Sequence, residues 1–168
     1  MIDTLLIGYG NIDREDDGAG WHIVSRVAAR QGVEFPCDPS LECEAEGGGI
    51  HYLVTLQLIP EYAELIASAR RVCFIDAHTG VYPQEIHIQD VRPVFQNSPL
   101  THHMTPETCL SLAVELFGGR PEAILVSARG YRFGFSRSLS EETERAVNQA
   151  AEWISTWLRT PGYQVLRP

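Results

Sequence analysis

Residues 4–24, TLLIGYGNIDREDDGAGWHIV, decide how this chain folds. Thr4, Leu5, Leu6 and Ile7 are a short, β-rich, nearly all-apolar run, as a strand buried on both faces of a parallel sheet requires. Gly8 and Gly10 free the backbone from Cβ constraints where that strand must turn sharply. Asp16 stands where a helix N-cap belongs, and Gly18 and Gly20 let the new helix lie close to the sheet. Ile23, Val27 and Ala28, with Val24 on the flank, then supply an apolar stripe at helical spacing. A dinucleotide fingerprint does not hold well: the third glycine of G-x-G-x-x-G is missing, and Glu15, Asp16 and Asp17 would repel a pyrophosphate unless a cation intervened. Acids at the carboxyl end of a strand suit metal chemistry, although an acid beside a turn also serves as a simple cap.

The chain has 168 residues, 44% hydrophobic and 21% charged, which predicts one globular domain spanning 1–168. A formal net charge of −9 argues against nucleic acid and against an anionic membrane surface as partners. No apolar run reaches the length of a bilayer span, and the start with Asp3 is unlike a secretion signal. Cys37, Cys43, Cys73 and Cys109 form no C-x-x-C pair, so the reading is a reduced, cytoplasmic chain with incidental thiols. A monomer is the expectation, although the sequence does not display oligomeric state.

Downstream, apolar strand patterns alternate with amphipathic helices. Strands are expected over 41–46, 50–59, 72–75 (VCFI), 85–91 nearer a sheet edge, and 123–127. Pro60 suits the first residue of a helix whose inward stripe is Tyr62, Leu65, Ile66 and Ala69. Thr105-Pro106 is a helix start, and Gly118-Gly119 stops that helix. Ser138 with Glu141 resembles a capping box ahead of a last helix carrying Val147, Ala150, Ala151, Ile154, Trp157 and Leu158. The pattern predicts an α/β three-layer sandwich, a mostly parallel twisted sheet with helices on both faces. In such folds the site lies at the carboxyl ends of the strands. Asp17 follows the first strand, Asp76 ends the VCFI strand, and His102–His103 closes the loop before the Thr105 helix. Two carboxylates and one imidazole on one rim suit a borderline divalent ion with open coordination positions; each taken alone is as readily a turn, cap or loop residue.

The series G-Y-G-N-x-x-x-x-D-D-G-x-G, then I-D-A after an apolar strand, then T-H ahead of a helix, resembles the hydrogenase maturation endopeptidases. These proteases remove a C-terminal peptide from the large subunit of nickel–iron hydrogenases, and the resemblance runs from the N-terminus to the last helix. It implies that Asp17, Asp76 and His102 contact nickel already seated in the precursor, with His103 a shift of one. The nickel is then contributed by the substrate, although another divalent ion could fill the site in isolation. The resemblance also puts Gly48 in a glycine-rich turn beside the site, while 50–60 departs from the shorter members. Ser127-Ala128-Arg129-Gly130 can hold the substrate tail, with Arg129 on its carboxylate, or be a structural turn. There is no H-E-x-x-H helix and no G-x-S-x-G elbow, so hydrolysis would rest on metal-polarised chemistry or on Asp17 or Asp76 as general base. Cys73 and Cys109 fall in a buried strand and a helix, which speaks against a cysteine nucleophile. Two other classes stay open: a non-catalytic nickel-binding accessory protein of hydrogenase assembly, and a nucleotide-binding α/β module.

Overall fold

A computed structural model of the chain describes residues 2–35, 42–95 and 104–160. Its elements are β1 (Ile2–Tyr9), a 3-10 turn (Glu15–Gly18), α1 (Ala19–Arg30), β2 (Cys43–Gly47), β3 (Ile50–Thr55), α2 (Tyr62–Ser68), β4 (Ala69–His78), β5 (Ile86–Asp90), α3 (Pro106–Phe117), β6 (Glu122–Arg129) and α4 (Glu141–Leu158). The strands form one six-stranded sheet in the order β2-β3-β1-β4-β6-β5. β3, β1, β4 and β6 run parallel, and β2 and β5 close the two edges antiparallel. The expected three-layer α/β sandwich is borne out.

Strand side chains alternate between two cores. Leu6, Tyr52, Ile75 and Val126 face α1 and α4, where they meet Ile23, Val27, Val147 and Ile154. Leu5, Ile7, Leu53 and Phe74 face α2 and α3, where they meet Ile66, Cys109 and Leu110. Burying each large apolar side chain contributes about 1.5–3 kcal/mol, so a sheet apolar on both faces is held between two helical layers. Gly20 sets how close α1 comes: a Cβ there would lie 2.6 Å from the Ile75 carbonyl oxygen.

Chain order fixes where a crevice opens. β1 is followed by α1 and β3 on one side, and β3 returns over α2 to β4 on the other side of β1. Connections from β1 and β4 therefore leave in opposite directions, which parts the loops above their carboxyl ends.

Local details depart from the sequence expectation. β3 stops at Thr55 instead of continuing to Ile59, and Leu56 is 63% exposed, so its alternation is that of an extended loop. α2 begins at Tyr62, and Ala69 opens β4 because the chain turns into the sheet as soon as Ile66 is buried. α3 matches its signal closely: the Thr105 hydroxyl accepts from the Thr108 N–H, and Gly118 closes the helix at φ +70°. α4 is capped by Ser140, not Ser138, because Ser140 Oγ is the oxygen that reaches the Thr143 N–H, at 3.3 Å. Among the described residues no helix is long and apolar enough to cross a membrane.

Candidate active site

The turn after β1 is shaped by Gly10, whose φ is +131° and whose Cβ, were there one, would lie 2.1 Å from the Asp17 carbonyl oxygen. Only glycine allows the chain to fold so tightly onto the acid cluster. The 3-10 turn then divides its acids between two tasks. Asp16 is fully buried and accepts from the N–H groups of Tyr131, Arg132 and Ser140 and from the Ser140 hydroxyl, at 2.7–2.8 Å. Burial pushes its carboxyl up, but these donors outweigh burial and hold it below its ordinary value. Asp16 was expected to cap α1; the cap of α1 is Gly18, without a side-chain bond, because the Asp16 carboxylate turns instead to the loop between β6 and α4. Glu15 accepts from Gly134 N–H, and Asp13 pairs with Arg137. Asp17 is the acid that faces the crevice, with Oδ2 accepting from Asn11 N–H at 3.0 Å.

Asp76 comes from β4, two residues before its end. Its Oδ1 accepts from Ala77 N–H at 2.7 Å, and the Tyr9 hydroxyl donates to the same carboxyl. Burial pushes this carboxyl up to about 7, the charge of Asp17 adds to the rise, and the two donors only partly offset it. Tyr9 in turn is held well above its ordinary value, by burial first and by the Asp76 charge next. An acid of the 3-10 turn and an acid of β4 thus meet at one cleft, and the Asp17 charge raises the cost of ionising Asp76.

Asp17 and Asp76 open into a cleft of about 720 Å³. Leu56 and Leu58, beyond β3, and Met104 and Pro106, at the start of α3, give it apolar walls. Glu107 adds a third carboxylate, and Arg14 is the one cation among the described residues lining it. His102 and His103 lie outside the described residues, and among the described residues no three His, Cys, Asp or Glu side chains gather as a metal cluster. Met104, the first described residue after them, stands in the cleft wall. Gly48 is not brought to this site. It forms, with Gly49, a two-residue turn at φ +61° and +80° between antiparallel β2 and β3, and Gly49 O accepts from Thr4 N–H near the start of β1. The hairpin reverses the chain before β3 begins, so the glycines fall at the amino edge of the sheet. Arg129 ends β6 two residues beyond Ser127, the ladder partner of Asp76, with its guanidinium 5.0 Å over the Tyr131 ring, and it does not line the cleft.

Among the described residues no thiol lines the cleft. Cys43, Cys73 and Cys109 are buried; burial pushes Cys109 up to about 12 and Cys73 higher still. Cys37 lies outside the described residues.

The comparisons agree with this geometry at the level of the fold. No protein-family model and no curated protein sequence matches the chain. Among solved structures, it superposes on the hydrogenase maturating endopeptidase HybD from E. coli with a TM-score of 0.72 at 20% identity, covering 95% of this chain and 94% of that one. The fold is that of the hydrogenase maturation endopeptidases. A solution structure of an endopeptidase from Escherichia coli gives 0.69 at 19% identity, over 96% and 95% of the two chains. The maturation protease HycI from Thermococcus kodakarensis gives 0.65 at 18%, over 95% and 94%. On this maturation-endopeptidase fold the cleft contains residues that sequence reasoning passed over. Tyr9 was hidden inside the glycine turn, Arg14 among acids, and residues 56–58 in a strand-like alternation that the structure shows to be loop. Glu107 was legible only as a helix-start residue.

Proposed function

We propose that this chain is an endopeptidase that trims the C-terminal peptide from a nickel–iron hydrogenase large-subunit precursor once nickel has been inserted. The observation that carries the reading is the convergence of Asp17 and Asp76 in one cleft at the switch point of the sheet, on a fold shared over nearly the full chain with maturation endopeptidases. In this reading the nickel belongs to the substrate, and Asp17, Asp76 and His102 supply its contacts from the protease. Two carboxylates and an imidazole leave coordination positions for the precursor's own ligands, as a checking site needs.

The electrostatics of the pair support the checkpoint. Without a cation, Asp76 keeps its proton near neutral pH because burial and the Asp17 charge oppose ionisation. A divalent ion near the pair would offset that opposition and make both carboxylates available. Hydrolysis then needs a base to take the proton of the attacking water, a role that an ionised carboxylate of this pair would fill.

The test is incubation of the nickel-loaded precursor with the protein and with its Asp17→Asn and Asp76→Asn variants, read by mass spectrometry of the released peptide and by binding. Peptide release by the wild type, abolished in both variants, is expected. Retained nickel-dependent binding in a variant that no longer cuts assigns that carboxylate the base role, and loss of both assigns ligation. Binding without release by the wild type would replace the protease with an accessory protein.

A further inference from the structure

Residues 129–137, RGYRFGFSR, carry three arginines and three aromatic rings with no acid, in a chain of net charge −9. Two of the aromatics are engaged. Tyr131 donates its hydroxyl to Glu85 and lies under the Arg129 guanidinium, and the Phe133 ring packs against Gly130, where a Cβ would come within 2.7 Å of it. The third, Phe135, is 96% exposed.

The backbone that presents it is fixed. Tyr131 and Arg132 donate their N–H groups to Asp16, Gly134 to Glu15, and Ser136 to the Asp13 carbonyl. The Arg132 and Ser136 carbonyls accept from the N–H groups of Asp16 and Glu15. Exposing a phenyl ring to water on a backbone held this firmly gains the free chain nothing. It does remove the ordering cost that a flexible loop would incur on binding. The platform is also continuous with the cleft: Ser136 forms a β-bridge with Arg14, whose side chain lines it. Arg132 and Arg14 are exposed, and neither meets a carboxylate in an ion pair among the described residues.

We propose that residues 131–137 are a pre-built docking knob, with Phe135 as its anchor, that seats in an apolar, acid-rimmed recess on the folded precursor outside the cleft. The inference rests on the protease reading above. Arg132, exposed in the same loop, favours an acidic rim, and the bridge from Ser136 to Arg14 places the contact next to the cleft. The acids beneath the loop and the overall negative charge disfavour a nucleic-acid partner.

The test compares the full-length protein with Phe135→Ala and Arg132→Glu, using nickel-loaded precursor. KM and kcat are read from peptide release, with sedimentation of the protease alone and thermal melting alongside. Phe135→Ala is expected to raise KM roughly tenfold or more with kcat near wild type, since a central aromatic anchor carries a large share of binding. Arg132→Glu is expected to raise KM as well, by a factor that shrinks at high salt. Melting temperatures should match wild type, because both side chains are exposed. KM values within twofold of wild type for both variants would overturn the knob while leaving the protease reading intact. Loss of self-association with unchanged KM would assign the knob to a second copy of the chain and overturn it too. A wild type that neither binds nor cuts the precursor would bring down the protease reading itself, and the precursor knob with it.

Discussion

Asp76→Asn should make the metal-free protein more stable, and the gain should depend on pH. The Asp76 carboxyl rises from 3.8 to about 7 in the folded chain, chiefly through burial and then through the Asp17 charge. At about 1.4 kcal/mol per pH unit, ionising it costs the fold about 4 kcal/mol, or about 2 kcal/mol if water at the cleft mouth screens half. The sign follows from the raised value. Below pH 4 the carboxyl is protonated in both folded and unfolded chains and costs nothing. Between pH 4 and 7 the unfolded chain ionises first, so stability falls as pH rises, and above 7 the loss is complete. An asparagine keeps an oxygen for the Ala77 N–H and carries no charge. The variant should therefore match the wild type near pH 4 and exceed it by about 2–4 kcal/mol at pH 8, roughly 5–15 °C in melting temperature for a chain of this size. Chelator-treated protein melted in urea or by heat from pH 4 to 8 makes the comparison. A difference that stays constant across that range, or a variant less stable at pH 8, would refute the argument.

Asp16→Ala leaves the Ser140 N–H and hydroxyl, both buried, and the part-buried Tyr131 and Arg132 N–H groups without their acceptor, and should cost about 3–5 kcal/mol in urea unfolding at pH 7. Because the Asp16 carboxyl is held below its ordinary value, its contribution is present above about pH 4 and fades as pH falls through the lowered value. An acid-denaturation series in which wild type and variant converge at low pH would show it; curves that stay parallel would contradict it. Gly10→Ala forces a Cβ to 2.1 Å from the Asp17 carbonyl oxygen at φ +131°, so peptide release should be lost even in protein that still folds by circular dichroism. Full activity in that variant would show that the turn is not needed to place Asp17. Cys73 and Cys109 should resist alkylation in the native protein and react in denaturant, as peptide mapping would reveal.

The fold was legible wherever burial imposes a period. Residues 5–7, 72–75 and 123–126 are apolar throughout because each run is covered by helices on both faces, and all became central parallel strands. The cap of α3 was legible because Thr105-Pro106 states its chemistry locally. The hairpin of β2 and β3 was not. Gly47, Gly48 and Gly49 announce a turn, but whether it lies at the amino or carboxyl edge depends on which strand pairs with β1, a long-range choice. The same choice displaced Gly48 from the site and brought residues 56–58 into the cleft instead. The division of labour in the acid cluster was equally invisible, since Asp16 is defined by partners more than a hundred residues away. Asp17 and Asp76 were found because one follows β1 and the other lies near the carboxyl end of β4, the two strands that flank the switch point.

The most direct test of the account sets a nickel-loaded large-subunit precursor beside the same precursor without nickel, each incubated with this protein and analysed by mass spectrometry. Release of a C-terminal peptide from the loaded form alone is the predicted result. Equal cutting of both forms would contradict the checkpoint, and cutting of neither by folded protein would contradict the protease.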